Sequence, residues 1–226
     1  MSEPLEIIYQ DATLVAVNKP SGMLVHRGWA RDGDIAVDVL HRQLDRYVWP
    51  LHRLDRATSG ALLFALDVET ARTISHEFEH GRVGKRYLAL VRGVPPEELL
   101  IDHALRRVDS DSPERLPAQT EIRRLGTFER YALVEAKPLT GRTHQIRRHL
   151  KHASHPIIGD VRYGKGDHNR MFRERFGLHR LALHASELRV PHPTLGEVLI
   201  RAPLTADLAE PLGAMGLLLG LVPGDR

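Results

Sequence analysis

Three short stretches of this chain carry residue types and spacings that could do chemistry. The first is His52-Arg53-Leu54-Asp55-Arg56-Ala57-Thr58-Ser59-Gly60, which sets one carboxylate between two guanidiniums and closes with small residues. Thr, Ser and Gly at that place predict a tight turn that fixes a side chain at a loop tip. In extended backbone, residues two apart point the same way, so Arg53 and Asp55 are expected to share a face. Such a carboxylate can serve as a nucleophile, or the three charges can be a solvated ion pair.

The second stretch is Lys137-Pro138-Leu139-Thr140-Gly141-Arg142-Thr143-His144-Gln145-Ile146-Arg147-Arg148-His149. Its spacing predicts a helix over Thr143–Ala153 with Ile146, Leu150 and Ala153 as the buried stripe. Arg147 then falls about 100° round, at the stripe margin. A half-buried arginine there must find an acidic partner. Arg148 falls on the opposite, wet face and suits a phosphate; the alternative has both arginines exposed. The third stretch, His76-Glu77-Phe78-Glu79-His80, matches the His-Glu-x-x-His pattern of zinc peptidases. In a helix capped by Asp67 and stopped at Gly81, however, Ile74 and Phe78 define the buried side. The two histidines lie roughly 160 to 180° from it, on the wet face. With no third ligand close by, a zinc hydrolase is disfavoured and no metal site is expected.

The surrounding elements must position these groups. Leu5 to Tyr9 and Leu14 to Asn18 predict a hairpin turned at Gln10-Asp11. Lys19-Pro20-Ser21-Gly22 is a loop signal, and Met23 to His26 a short strand. Ile35, Val39, Leu40 and Leu44 have helical spacing. Strands are expected at Ala61 to Leu66, Lys85 to Arg92, Ile101 to Arg107, Gln119 to Leu125, Tyr131 to Lys137, Leu181 to Arg189 and Glu197 to Ile200. Asp109-Ser110-Asp111-Ser112-Pro113 predicts a mobile loop, Leu204 to Leu212 a last helix, and Leu217-Leu218-Leu219 a tail packed on the core. Strand runs interrupted by helices, without regular βαβ alternation, argue an α+β fold with a mixed, mainly antiparallel sheet.

Composition bounds the function. The 226 residues suit one domain, or one domain of two lobes. Cysteine is absent, which excludes disulfides, thiolate metal sites and cysteine nucleophiles. The start, Met1-Ser2-Glu3-Pro4-Leu5-Glu6, lacks the pattern of a secretory signal. No stretch approaches the roughly 20 apolar residues of a membrane helix, so no membrane contact is expected and the cytoplasm is the expected address. Gly164-Lys165-Gly166 is no dinucleotide loop, because Asn169 stands where the third glycine belongs. Net charge is only +3, yet Lys137 to Arg180 holds eleven Lys plus Arg against three Asp plus Glu, with six histidines. A segment this lopsided suggests a polyanion-binding face, or else a well-solvated surface.

The nine-residue motif around Asp55, together with Lys85-Arg86-Tyr87, Gly141-Arg142-Thr143-His144-Gln145-Ile146-Arg147 and Leu183-His184-Ala185, resembles the successive motifs of the RluA-type pseudouridine synthases. The likeness runs from Asn18-Lys19-Pro20-Ser21-Gly22 to His192-Pro193-Thr194-Leu195-Gly196. Four motifs in order are far more specific than any one. The resemblance implies a single catalytic domain over 1–226 with helices flanking the sheet, a central RNA-binding cleft, and no S4-type RNA-binding domain before the first strand. It implies isomerisation of uridine to its C-glycoside in RNA, with Asp55 as the catalytic carboxylate, Arg147 as its cationic partner and Tyr87 as a catalytic tyrosine that stacks on the base and can take the C5 proton. Leu183 is implied as an apolar wall and Arg53 as a residue that displaces the target nucleotide. Arg142, His144 and Arg148 are the implied RNA contacts. No cofactor and no obligate protein partner are implied. Within the family, His155-Pro156-Ile157-Ile158-Gly159-Asp160, Asn169-Arg170 and Phe176-Gly177-Leu178 look most like the branch that modifies uridine 65 of tRNA. Ribosomal RNA as substrate and a non-catalytic RNA-binding or chaperone module remain the alternatives.

Overall fold

In the computed structural model, the described residues are 3–26, 34–108 and 112–221. They form an α+β chain with a mostly antiparallel sheet and five α-helices. The described residues divide into two compact units, one made from 3–84 with 185–205 and the other from 85–184 with 206–221.

In the first unit, β1 (Glu6–Gln10) and β2 (Leu14–Lys19) form the expected hairpin. Asp11 builds its turn, accepting from the amides of Thr13 and Leu14 at 2.7 and 2.8 Å and from the Tyr9 hydroxyl. Strand β2 pairs with β4 (Ser59–Ala65), which also carries the short β3 (Trp49–Pro50). Strand β11 (Leu183–His192) lies beside β4, with β12 (Gly196–Arg201) on its other side. All seven residues of β4 are buried, as a near-continuous apolar run requires. Helix α1 (Ala36–Leu44) buries Ala36, Val39 and Leu40. Helix α2 (Val68–Glu79) starts where Asp67 accepts from Thr70 N at 2.8 Å and stops before Gly81, whose φ of +69° suits glycine. It packs Ile74 into a core with Leu63, Leu188, Val190 and Ile200. Met23 to His26 makes no strand beyond a single bridge from Leu24 to Ile35.

In the second unit, β5 (Gly84–Arg92), β10 (Tyr131–Pro138), β9 (Gln119–Phe128) and β6 (Glu98–Asp102) pair antiparallel in that order. The strand expected at Ile101 to Arg107 breaks at His103-Ala104, and the chain resumes as β7 (Leu105–Arg106) paired with β8 (Arg115–Leu116). Of the expected mobile loop, residues 109–111 lie outside the described residues. Helix α3 (Gln145–His152) occupies the predicted place. Helix α4 (Gly166–Phe176) follows and seats Phe172 edge-on against Tyr131, with ring centres 4.6 Å apart. Helix α5 (Ala206–Ala214) and the 3-10 turn Leu217–Gly220 close the unit, with Leu217 buried and Leu219 exposed. Among the described residues, no helix is long and apolar enough to cross a membrane.

Candidate active site

The Asp55 loop is held from behind. Its tight turn comes before Thr58-Ser59-Gly60, where the sequence suggests it: Thr58 N donates to the Asp55 carbonyl at 3.0 Å, so the turn spans Asp55 to Thr58. Thr58, Ser59 and Gly60 are buried and lead into β4 rather than forming a tip. Gly60 has φ +112°, and a Cβ there would lie 2.2 Å from the Ala185 carbonyl oxygen. Only glycine allows the two strands to approach so closely. The turn is also tied to the Lys19–Met23 loop. Gly22 N donates to the Arg56 carbonyl at 2.8 Å, Arg56 Nε returns a bond to the Gly22 carbonyl at 2.9 Å, and Ser21 Oγ donates to the Ala57 carbonyl at 2.8 Å.

At the centre of this clamp sits Lys19, fully buried. Its Nζ donates to the carbonyls of Pro20, Met23 and Arg56 at 2.9, 2.9 and 3.3 Å. Sequence reasoning finds only a loop there. Leu54 is buried beneath the motif, Asp55 is half-buried, and Arg53 and Arg56 are exposed. His52 is a structural group: its Nε2 accepts from Leu63 N at 3.1 Å, and its ring stacks on Phe78 at 4.9 Å.

In the second unit, Gln145 fixes the loop before α3. Its Oε1 accepts from Thr140 Oγ1 at 2.6 Å and Arg142 N at 3.0 Å, while its Nε2 donates to the Gln119 carbonyl and Thr120 Oγ1. His144 enters the helix in the left-handed region, with φ 54°, and its Nδ1 lies 3.0 Å from the Tyr163 hydroxyl. Arg142 is exposed and donates from Nε to the Pro117 carbonyl at 3.1 Å.

Arg147 is buried and has the acidic partner its position demands, in Asp160. Nε and Nη2 donate to the two carboxylate oxygens at 2.8 and 3.0 Å, a bidentate pair. Burial alone raises the Asp160 pKa, but the Arg147 bonds and the amides of Tyr163 and Arg162 outweigh it and hold the carboxyl below its ordinary value. The guanidinium carbon also lies 5.1 Å from the centre of the Tyr163 ring. Asp160 is one of three acids in the basic segment, which was the available signal for its role. Asn169 on α4 supports it, donating to the Asp160 carbonyl at 3.1 Å and accepting from Gly159 N at 2.8 Å.

Arg148 is less buried than Arg147, as the helix period requires, but it is not on a fully wet face. The β7–β8 hairpin covers it, and Nη1 donates to the Arg106 carbonyl at 2.8 Å. The buried face of α3 is correspondingly wide and includes Gln145 and His149, while Ala153 is only half-buried.

Tyr87 and Lys85 share one face of β5, and both are half-buried. Burial lowers the Lys85 pKa. Leu183 is buried, and its carbonyl accepts from Arg180 at 3.0 Å. His76 on α2 and His80 at its C-terminal cap are exposed, and Glu77 is bound by Arg82 at 2.6 Å. The wet-face expectation for that pattern is met.

Residues 13–152 match the family model described as RNA pseudouridylate synthase. The chain belongs to the RNA pseudouridylate synthase family. It is an isomerase that converts uridine in RNA to pseudouridine. Among curated relatives, the tRNA pseudouridine synthase C of Vibrio parahaemolyticus is 45% identical, covering 87% of this chain and 88% of the relative. Those of Vibrio vulnificus and Vibrio cholerae are 46% and 44% identical, covering 88% of this chain and 90% and 91% of theirs. Of solved structures, human RNA pseudouridylate synthase domain containing 4 matches with a TM-score of 0.78 at 28% identity, covering 93% of each chain. The related human domain containing 1 protein matches with a TM-score of 0.77 at 29% identity, covering 91% of this chain and 86% of that one.

Proposed function

We propose that this pseudouridine synthase modifies tRNA, at uridine 65, with Asp55 as its catalytic carboxylate. The observation that carries the tRNA reading is identity of 44 to 46% to relatives named tRNA pseudouridine synthase C, across nearly nine-tenths of both chains. Breaking the N-glycosidic bond and rejoining the base through carbon needs an ionised carboxylate, as nucleophile or as stabiliser of cationic sugar character. A cation within about 4–6 Å favours that ionised form by roughly 1–3 pKa units. Arg147 is the proposed cation. A guanidinium carries five N–H donors in a fixed fork, and Asp160 engages Nε and Nη2. One guanidinium of that geometry can serve two carboxylates.

Tyr87 is proposed to stack on the base and take the C5 proton, Leu183 to wall the site, and Arg53 to help displace the target nucleotide. Flipping a uridine from a stem costs a few kcal/mol, and phosphate contacts from Arg142, His144 and Arg148 are proposed to offset it. The isomerisation changes no redox state and consumes no donor, so its chemistry calls for no cofactor. A tRNA substrate argues for a cytoplasmic enzyme. Mapping pseudouridines in tRNA and ribosomal RNA from cells with and without the gene tests the target. Loss of the signal at tRNA position 65 alone is the expected result; loss in ribosomal RNA instead overturns it.

A further inference from the structure

The second unit holds a basic cavity that the roles above do not use as a whole. It lies between the β7–β8 hairpin and α3, measures about 300 Å³, and is lined by Arg106, Arg115, Arg148, Lys151 and the imidazoles of His103 and His152, with Leu105 and Tyr163 completing it. Among the described residues, no Asp or Glu lines it. Four permanent positive charges without an acid among them repel one another, so the arrangement gains most when an anion enters. The volume admits a phosphate group with waters around it.

The walls are built, not merely crowded. Arg148 Nη1 binds the Arg106 carbonyl at 2.8 Å, and Arg115 Nη1 donates to the Ala104 carbonyl and to His103 Nε2, both at 3.3 Å. His149, fully buried, links the two sides: Thr120 Oγ1 lies 2.9 Å from its Nδ1, and its Nε2 donates to the His103 carbonyl at 3.0 Å. His103 and His152 stack face to face, with ring centres 3.7 Å apart and planes 13° apart.

We propose that this cavity seats a backbone phosphate of the RNA, and that the His103–His152 stack takes up a proton as the phosphate enters. The inference rests on the RNA reading above and adds to it a site and a pH dependence. In the free protein a proton on His103 is opposed. Burial first, then His152, Arg115 and Arg148, lower the His103 pKa. The other groups facing the stack are Arg106 from β7 and His149 and Lys151 from α3, with the Tyr163 hydroxyl beside them. Asp102, just before His103, is engaged by the Gln119 side chain at 2.8 Å. A phosphate reverses the sign of the local field, so binding and protonation reinforce each other.

The test is fluorescence anisotropy with an unmodified tRNA transcript, using the full chain as Asp55→Asn to prevent turnover, over a range of salt and from pH 6 to 8. Added to that parent are Arg115→Gln with Lys151→Gln, both at exposed positions, and separately His103→Asn with His152→Asn. The charge pair should flatten the log–log salt slope by about 0.7–0.9 for each phosphate it no longer neutralises. The parent should lose roughly three- to tenfold in affinity from pH 6 to 8 on one linked proton, and the histidine pair should lose much less. If the parent binds tRNA and either pair leaves its slope or pH dependence unchanged, the proposal is overturned. If the parent does not bind tRNA at all, the tRNA reading falls, and this proposal with it.

Discussion

Replacing Asp160 with asparagine tests how the enzyme holds its buried arginine. The Arg147 and Asp160 side chains are only 9% and 1% exposed, and two bonds of 2.8 and 3.0 Å join them. Asparagine keeps an oxygen for the amides of Arg162 and Tyr163, each 2.9 Å from Oδ1. Its amide nitrogen, however, would meet the Arg147 Nε–H donor against donor. Removing the charge from one side of a buried ion pair costs about 3–5 kcal/mol, a large share of the roughly 5–15 kcal/mol that stabilises a typical protein. Urea unfolding should show that loss, and tritium release from tRNA labelled at uridine C5 should slow at least about 100-fold, or some 2.7 kcal/mol of barrier.

The sign with pH follows from the lowered Asp160 pKa. Its contribution is complete above the unfolded value near 4 and disappears as pH falls through the lower folded value. The stability gap between parent and Asp160→Asn should therefore close only below about pH 4. The double variant Arg147→Met with Asp160→Asn removes both charges while keeping an oxygen for the amides of Arg162 and Tyr163, and should recover most of the stability without recovering activity. A loss under about 1 kcal/mol with normal tritium release in Asp160→Asn would refute the reasoning.

Three further outcomes are expected. Gly60→Ala puts a methyl 2.2 Å from the Ala185 carbonyl oxygen at a φ of +112°; unfolding should show a loss of about 3 kcal/mol or more. Lys19→Met leaves the Pro20, Met23 and Arg56 carbonyls without their buried donor; turnover should fall well beyond tRNA affinity, because the Asp55 turn loosens, and an unchanged kcat would reject the clamp. Burial raises the Asp11 pKa, but bonds from Tyr9, Thr13 and Leu14 outweigh it and bring it to about 2, while burial and Asp11 push Tyr9 to about 12. Asp11→Asn should thus cost stability above pH 4 and progressively less as pH falls toward 2, read from thermal midpoints across that range.

What the sequence made legible was periodic or capped. Helix α2 announces itself through Asp67, its Ile74 and Phe78 stripe and Gly81, which is why its histidines can be placed on the wet face from sequence. The alternation of β5 and the apolar run of β4 are equally plain. Helix α4 is not. It buries little beyond Asn169 and Phe172, and five of its eleven residues are charged, so it has no stripe to read, and tertiary contacts to Tyr131 and Asp160 hold it. The Lys19 clamp is invisible for a different reason. A lysine reads as a surface residue, and only the fold brings three carbonyls to it. Asp160 lies in one of the segments that carry the family resemblance, but its bond to Arg147 spans 13 positions and two elements, beyond any local pattern. Gly60 reads as a turn residue, whereas the close approach of Ala185 is what requires it.

Catalysis is proposed to turn on Asp55 as the carboxylate that acts on the sugar or the base. Its most direct test is tritium release from tRNA labelled at uridine C5, comparing the parent with Asp55→Asn at enzyme in excess over RNA. Release at background is the predicted result in the variant, with tRNA affinity nearly unchanged. Full release by Asp55→Asn would contradict that role.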